Sequence, residues 1–353
     1  MNDGRIVNGD GWRAGRRGNI SRRQALGQGL RWAGGLALAA VWPARAGATV
    51  LDTLFHGSAQ ATPAITPNDE FYVTSYRSPP AIRINEWELA IKGLVESPAT
   101  LRYPELLARP FASETVTLEC VGNSVAGDAI GTALWEGVPL KALLAEAGVS
   151  ARARKVVFRA ADGYSDSLPM EQAMAGDVLL AVKMNGVPLP QAHGFPARII
   201  VPGVYGMKQV QWLAEIEVVD QDYKGYYQQK GWSEEATVKT MSRIDVPGHG
   251  DRLRSGEHVV KGLAFAGNRG ILSVELSVDG SGRWMPAQLE PELSPSAWRF
   301  WSYRWQPQVP GRYALKVRAK DGTGNLQAST EQDPFPDGAA GLHEITVTVS
   351  DKA

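Results

Sequence analysis

From residue 258 onward the chain is a succession of short strand-forming runs, each cut by a turn: "HVVKGLAFAG", "ILSVELSVDG", "RWMPAQLE", "WRFWSYRWQP", "GRYALKVRAKDG" and "LHEITVTVSD". Turns recurring about every 8 to 12 residues, with almost no helical spacing, leave a sandwich of antiparallel sheets as the fold that buries these residues. The run "WRFWSYRW" alternates aromatic and polar side chains, as a strand with one buried face must. Gly (38) and Pro (22) supply the turns, and 11 Trp supply large core side chains.

The size and rhythm of this region point to an immunoglobulin-like β-sandwich over residues 241–350. The stretch "IDVPGHGDRLRSG" before it reads as a turn-rich linker. Upstream, residues 47–240 read differently. Runs at 71–76, 86–92, 115–120, 155–160, 198–202 and 212–219 are strand-like. Between them "YPELLAR" (103–109), "PLKALLAEAG" (139–148) and "PMEQAMAG" (169–176) place apolar residues at helical spacing. This mixture predicts an α+β domain with irregular sheets, entered through an extended arm over 47–70.

Lys plus Arg and Asp plus Glu number 37 each, so no net field recruits nucleic acid, and no basic patch in the body suggests it as a partner. The N-terminus is different. "ISRRQALGQGLRWAGGLALAAVWPARAGA" sets Arg22 and Arg23 before a moderately apolar run and ends at Ala44-Arg45-Ala46, a small-x-small cleavage pattern. Residues 1–46 resemble a twin-arginine signal, with Ala25 where that motif prefers a bulkier residue, and predict an exported, periplasmic protein. An ordinary secretory signal or an uncleaved anchor is the alternative. Export in the folded state suits a protein loaded with a cofactor before it leaves.

Cysteine arithmetic narrows that cofactor. With Cys120 alone there is no intramolecular disulfide, no CxxCH haem site and no cysteine-bound iron–sulfur cluster. The five histidines, at 56, 193, 249, 258 and 343, are not spaced as helix-borne zinc ligands. Cys120 stands in "TLECVGNS", at the end of an apolar strand and before a glycine turn. A lone buried cysteine is often an inert small hydrophobe. At a strand end beside a close-approach turn, it is equally a soft ligand for a metal.

A second stretch, "MNGVPLPQAHGFPARIIVPGVYGMKQVQWLAEIEVVDQDYKG", decides between these readings when taken with "LECVGN". Together they resemble the sulfite oxidase family of molybdenum enzymes, from about residue 65 to the C-terminus. The terminal sandwich resembles that family's dimerisation domain and implies a homodimer. The resemblance implies a single molybdopterin, with Cys120 as the protein ligand to molybdenum. It places His193, Arg198 and the segment Gln209, Val210 and Gln211 on the cofactor and its phosphate, where a guanidinium grips bidentately. Asp162 and the segment Tyr72, Val73 and Thr74 fall in regions that touch the pterin in relatives. Tyr223 of "DYKG" matches a tyrosine whose hydroxyl lies beside the metal, and Arg269 an arginine of the anion pocket.

The pattern departs from the family where a sulfite dianion is held. Thr74 occupies one arginine position, with Arg77 displaced, and Ser124 and Val125 occupy another region that carries arginine in relatives. Trp135 and Asp128 receive no role. The resemblance implies two-electron oxo transfer on a small-molecule substrate, sulfite or another, with electrons passing to an external carrier such as a c-type cytochrome. A sulfoxide-type reductase suits a site poor in arginine. A cofactor-free scaffold is the reading from outside enzymology.

Overall fold

The computed structural model describes residues 62–351. The signal-like segment with Arg22 and Arg23, its Ala44–Ala46 site and the first part of the extended arm lie outside the described residues. Among the described residues no helix is long and apolar enough to cross a membrane.

The fold is mostly β. A mixed sheet orders the strands Ala99–Arg102, Glu88–Gly93, Leu213–Val219, Lys155–Ala160 and Ser165–Pro169. Only the pairing of Glu88–Gly93 with Leu213–Val219 is parallel. A second sheet runs Ala112–Glu119, Ile130–Pro139, Leu179–Met184, Val187–Pro188, with Arg198–Ile200 also paired to Leu179–Met184. This second sheet is covered on both faces. Leu180 and Val182 join a large core shared with the first sheet and the helix Leu140–Ala147, while Leu179 and Ala181 join Phe71, Leu118 and Trp135 on the other side. A strand buried on both faces needs no alternation. That is why "DVLLAVKM" and the glycine-bearing "IGTALWEGVP" escape a search for period two.

The expected strands at 86–92, 115–120, 155–160, 198–202 and 212–219 are present within one to three residues at their ends. The run 71–76 is not a strand. Phe71 turns into the core against Trp135 and His193, and the following residues cross the Cys120 loop without joining a ladder. The helices expected at 103–109, 139–148 and 169–176 are present but short: Tyr103–Leu107, Leu140–Ala147 and Met170–Ala173.

Two further sheets follow. One orders Met241–Val246, His258–Phe265, Arg299–Trp305 and Gln288–Leu289; the other Arg252–Arg254, Glu344–Ser350, Gly311–Asp321, Ile271–Ser277 and Met285–Pro286. Ile244, Val260, Trp301 and Trp305 from the first meet Val274, Leu315, Val317 and Val347 from the second in one core. The stretch read as a linker is instead strand, turn and strand, because Ile244 and Leu253 both find places in that core. A fourth cluster bridges the two halves: Val121, Ile130, Tyr205 and Met207 pack on Val238, Leu263, Phe265 and Trp298. The C-terminal sheets therefore brace the residues that flank Cys120.

Candidate functional site

Cys120 leaves the end of Ala112–Glu119 and enters a tight turn, its N–H on the Ala129 carbonyl at 2.9 Å and its own carbonyl taking the Asn123 N–H at 2.9 Å. Asn123 locks the loop. Its Nδ2 donates to Glu119 Oε1 (2.9 Å) and its Oδ1 accepts the Ala129 N–H (3.1 Å). Burial pushes the Cys120 thiol up to about 11, against the opposing pull of the Gly122 N–H and the Thr74 hydroxyl on its sulfur. A thiolate at this depth therefore needs a cation beside it, and a bound metal supplies one. Burial likewise raises the hydroxyls of Tyr72 and Tyr227, and both feel the charge of Cys120.

The turn Gly206–Lys208 packs against Tyr72 and the Glu119–Cys120 backbone. A Cβ on Gly206 would lie 2.8 Å from Tyr72 Oη and 3.3 Å from the Glu119 carbonyl, so only glycine lets the turn approach. Gly206→Ala is expected to push the turn off Tyr72 and to cut metal retention about 10- to 100-fold, the scale of disturbed support around a metal ligand. Metal content after gel filtration, compared with wild type at equal far-UV circular dichroism, checks this.

Of the predicted phosphate residues, Arg198 stacks on Trp135 and is tied to the His193 and Gln209 carbonyls. Arg198 is 3% exposed and its guanidinium carbon lies 5.1 Å from the Trp135 ring centroid. Nη1 donates to the His193 carbonyl (2.9 Å) and Nη2 to the Gln209 carbonyl (3.2 Å), which leaves Nε with no partner. Burial pulls this guanidinium down to about 10. His193 Nε2 pairs with the Asn68 carbonyl at 2.7 Å, and burial lowers its pKa. Gly194 brings the Cβ atoms of Arg198 and Gln211 to within 3.1 and 3.2 Å of the place where a side chain of its own would begin. Gln211 Oε1, like Arg198 Nε, is buried and unpartnered. A buried donor and a buried acceptor, both unpaired at a cationic floor, fit a phosphate-bearing heterocycle that both accepts and donates.

The other predicted residues are placed as follows. Thr74 bears on the sulfur directly, while Val73 turns outward. Gln209 spends its side chain on backbone, accepting the Val201 N–H at 2.6 Å and donating to the Val201 and Val204 carbonyls; Val210 is core. Asp162 caps the Tyr164 N–H at 2.9 Å. Asp128 is exposed.

Two residues are not brought to Cys120. The Tyr223 hydroxyl pairs with Ser165 Oγ (2.7 Å) and takes a bond from Arg159 Nη1 (3.2 Å) at the edge of the first sheet. In this segment the tyrosine that feels the thiol is Tyr227, on the helix Tyr226–Gln229 that follows "DYKG". Arg269 is neutralised by Asp321 (Nε to Oδ2, 3.0 Å) and bonds the Val238 carbonyl at 2.9 Å, so it joins the two halves and offers no free charge. Sequence reasoning missed Tyr227, Asn123 and the Trp135 platform. The "YY" after "DYKG" was the visible signal for the first.

The Arg269 pair carries a pH signature. Burial raises the Asp321 carboxyl, yet the Thr323 hydroxyl, the Arg269 guanidinium and the Asn325 N–H together hold it down at about 2. A carboxyl depressed below its unfolded value of about 3.9 stabilises the fold above that value, and the contribution fades as pH falls from about 4 towards 2. Asp321→Asn is expected to lower Tm at pH 7 and to flatten the fall in Tm between pH 4 and 2. Melting curves across that range check it.

Comparison with known proteins agrees with this geometry. Residues 76–227 match the model of the oxidoreductase molybdopterin binding domain. The chain is similar to mitochondrial sulfite oxidase of Rattus norvegicus, 32% identical over 314 residues that cover 75% of this chain and 58% of that one. It is similar to sulfite oxidase of Gallus gallus, 30% identical over 311 residues that cover 74% of this chain and 68% of that one. The fold is similar to the crystal structure of the sulfane dehydrogenase SoxCD from Paracoccus pantotrophus, with a TM-score of 0.71, 26% identity and 81% of each chain covered. A molybdopterin-type fold with a buried cysteine and an arginine-floored polar pocket defines a molybdenum-cofactor protein, and the chain belongs to the sulfite oxidase family of molybdopterin-dependent oxidoreductases. It spans 58% of the length of the rat relative.

The residues present fit that cofactor. Cys120 would supply one sulfur, and Arg198 Nε and Gln211 Oε1, buried and unpaired, would supply a donor and an acceptor. Among the described residues no group of three or more His, Cys, Asp and Glu could hold a metal ion.

Proposed function

We propose that this protein is an exported, periplasmic molybdenum oxidoreductase that performs a two-electron oxo-transfer step on a small sulfur compound. The observation that carries the reading is the buried Cys120 thiol together with the buried, unpaired Arg198 Nε and Gln211 Oε1; Tyr72 feels the charge of both Cys120 and Arg198. When bound, the cofactor would supply two-electron redox chemistry coupled to transfer of an oxygen atom between water and the substrate. In the oxidising direction substrate and water give oxidised substrate, two protons and two electrons, the electrons leaving singly to a separate carrier such as a c-type cytochrome.

The chain's own residues hold and orient. Arg198 and Gln211 grip the cofactor, and Thr74 and the Gly122 N–H hold the sulfur in place. Tyr72 and Tyr227 both feel the charge of Cys120 and are the hydroxyls proposed to hydrogen-bond an oxygen or relay a proton there. None of the groups that bear on the Cys120 thiol is an arginine, and Arg269 is already paired. A site of hydroxyls suits a substrate with less negative charge than sulfite, whose dianion needs compensating cations when buried. The similarity to a sulfane dehydrogenase supports a sulfane-like sulfur, and the arginine-poor site leaves a neutral sulfoxide as the second candidate. Residues 47–240 would be the cofactor domain, and 241–350 an immunoglobulin-like domain through which two copies pair.

Steady-state assays of the holoenzyme with sulfite and with a neutral small sulfoxide, over a range of ionic strength, test this. The expected result is kcat/KM for the neutral compound at least about tenfold higher, a barrier difference of about 1.4 kcal/mol, with little salt dependence. Efficient sulfite oxidation that collapses with salt would overturn it.

A further inference from the structure

Behind the turn that faces Cys120 lies a buried charge pair that the reading above does not use. Lys208 and Asp166 have side chains 3% and 1% exposed, with Nζ and Oδ1 at 2.8 Å. Lys208 Nζ also donates to the Ser167 carbonyl at 3.1 Å, and Asp166 Oδ1 takes the Ser167 N–H at 2.7 Å. Asp166 Oδ2 accepts from Gln228 Nε2 at 3.3 Å and faces the Tyr164 hydroxyl at 3.2 Å. That hydroxyl donates to the Met207 carbonyl at 2.7 Å.

These contacts end on two elements that border the sulfur. Lys208 and Met207 belong to the Gly206–Lys208 turn, which abuts Tyr72 Oη and the Cys120 backbone. Gln228 belongs to the helix Tyr226–Gln229, which carries Tyr227. One carboxylate on the strand Ser165–Pro169 thus ties both to the first sheet. A buried ion pair is poor evidence of stability, since apolar residues of similar volume often hold a core as well. Its distinctive effect is directional: hydrogen bonds of fixed length set where the tied backbone sits.

We propose that Asp166 is a positioning residue: through Lys208, Tyr164 and Gln228 it fixes the Gly206–Lys208 turn and the Tyr227 helix against the Cys120 loop. The proposal rests on Cys120 being the molybdenum ligand.

The test compares wild-type holoenzyme with Asp166→Leu/Lys208→Met and with Tyr164→Phe. Four quantities are read: Tm, molybdenum content after gel filtration, the Mo(V) electron paramagnetic resonance signal after partial reduction, and the split of kcat from KM. Both variants remove directional bonds without leaving a buried charge alone, so Tm is expected near wild type. Their Mo(V) signals are expected to shift or broaden into several species, with kcat lower by about 10- to 100-fold, the scale of a misplacement of about 1 Å, and KM little changed. Wild-type spectra and kcat in either folded variant would overturn the proposal. If the double variant does not fold, Tyr164→Phe decides alone, because it keeps the charge pair and the ring. Wild-type protein without molybdenum would instead sink the assignment of Cys120, so the two failures are told apart.

Discussion

Replacing Cys120 by serine is expected to leave a folded protein that has lost turnover by about 10³-fold, or about 4 kcal/mol of barrier. The substitution is nearly isosteric, and the hydroxyl inherits the Thr74 and Gly122 contacts of the sulfur. The fold should therefore lose no more than about 1–3 kcal/mol, the cost of burying a hydroxyl with incomplete partners. The metal loses more, because a hydroxyl is a far poorer soft ligand than a thiolate. Circular dichroism, Tm and turnover of matched preparations check this. Unchanged turnover in Cys120→Ser would remove Cys120 as the metal ligand.

The second large effect is expected at Arg198. Arg198→Met removes the cationic floor and leaves the His193 and Gln209 carbonyls without their donors. Each buried group left unsatisfied costs about 1–3 kcal/mol, so metal-free protein should melt lower. A bound cofactor stabilises the native state by linkage, so the gap in Tm between loaded and metal-free protein measures the grip directly. That gap should close in Arg198→Met. Arg198→Lys should not restore it, because a single ammonium cannot serve two carbonyls and a phosphate in the fixed geometry of a guanidinium. A full gap in either variant would remove Arg198 from the cofactor.

Much of this candidate site was reached through the family resemblance rather than from the residues alone. Cys120 was marked by being the only thiol and by standing at a strand end, and "HGFPAR" places His193 and Arg198 five residues apart with their backbone and side chain in contact. The resemblance put Thr74 where relatives carry arginine and in a segment that touches the pterin; that its hydroxyl bonds the Cys120 sulfur was not foreseen. What stayed hidden depends on long-range packing. Trp135 lies in a strand whose two covered faces erase alternation, so nothing local says that Arg198 stacks on it. Tyr223 and Tyr227 sit four residues apart, and only the direction of the chain after Leu213–Val219 sends the first to Arg159 and the second towards Cys120. Arg269 carries the right charge, but Asp321, 52 residues on, consumes it.

The C-terminal strands were read with little error because each has one face in a single core and one in solvent or a polar layer, which writes period two into the sequence. The segment 71–76 misled for the opposite reason. Its aromatic residues answer to the cofactor loop and to Trp135 rather than to a neighbouring strand.

The central claim is that Cys120 and the Arg198 pocket hold a molybdenum cofactor. Its most direct test is the molybdenum and phosphorus content, by inductively coupled plasma mass spectrometry, of wild-type and Cys120→Ser protein purified from a host that makes molybdopterin. Wild-type protein with near-stoichiometric, roughly equal molybdenum and phosphorus, and Cys120→Ser depleted in molybdenum, is the predicted result. Folded wild-type protein free of metal under those conditions would contradict it.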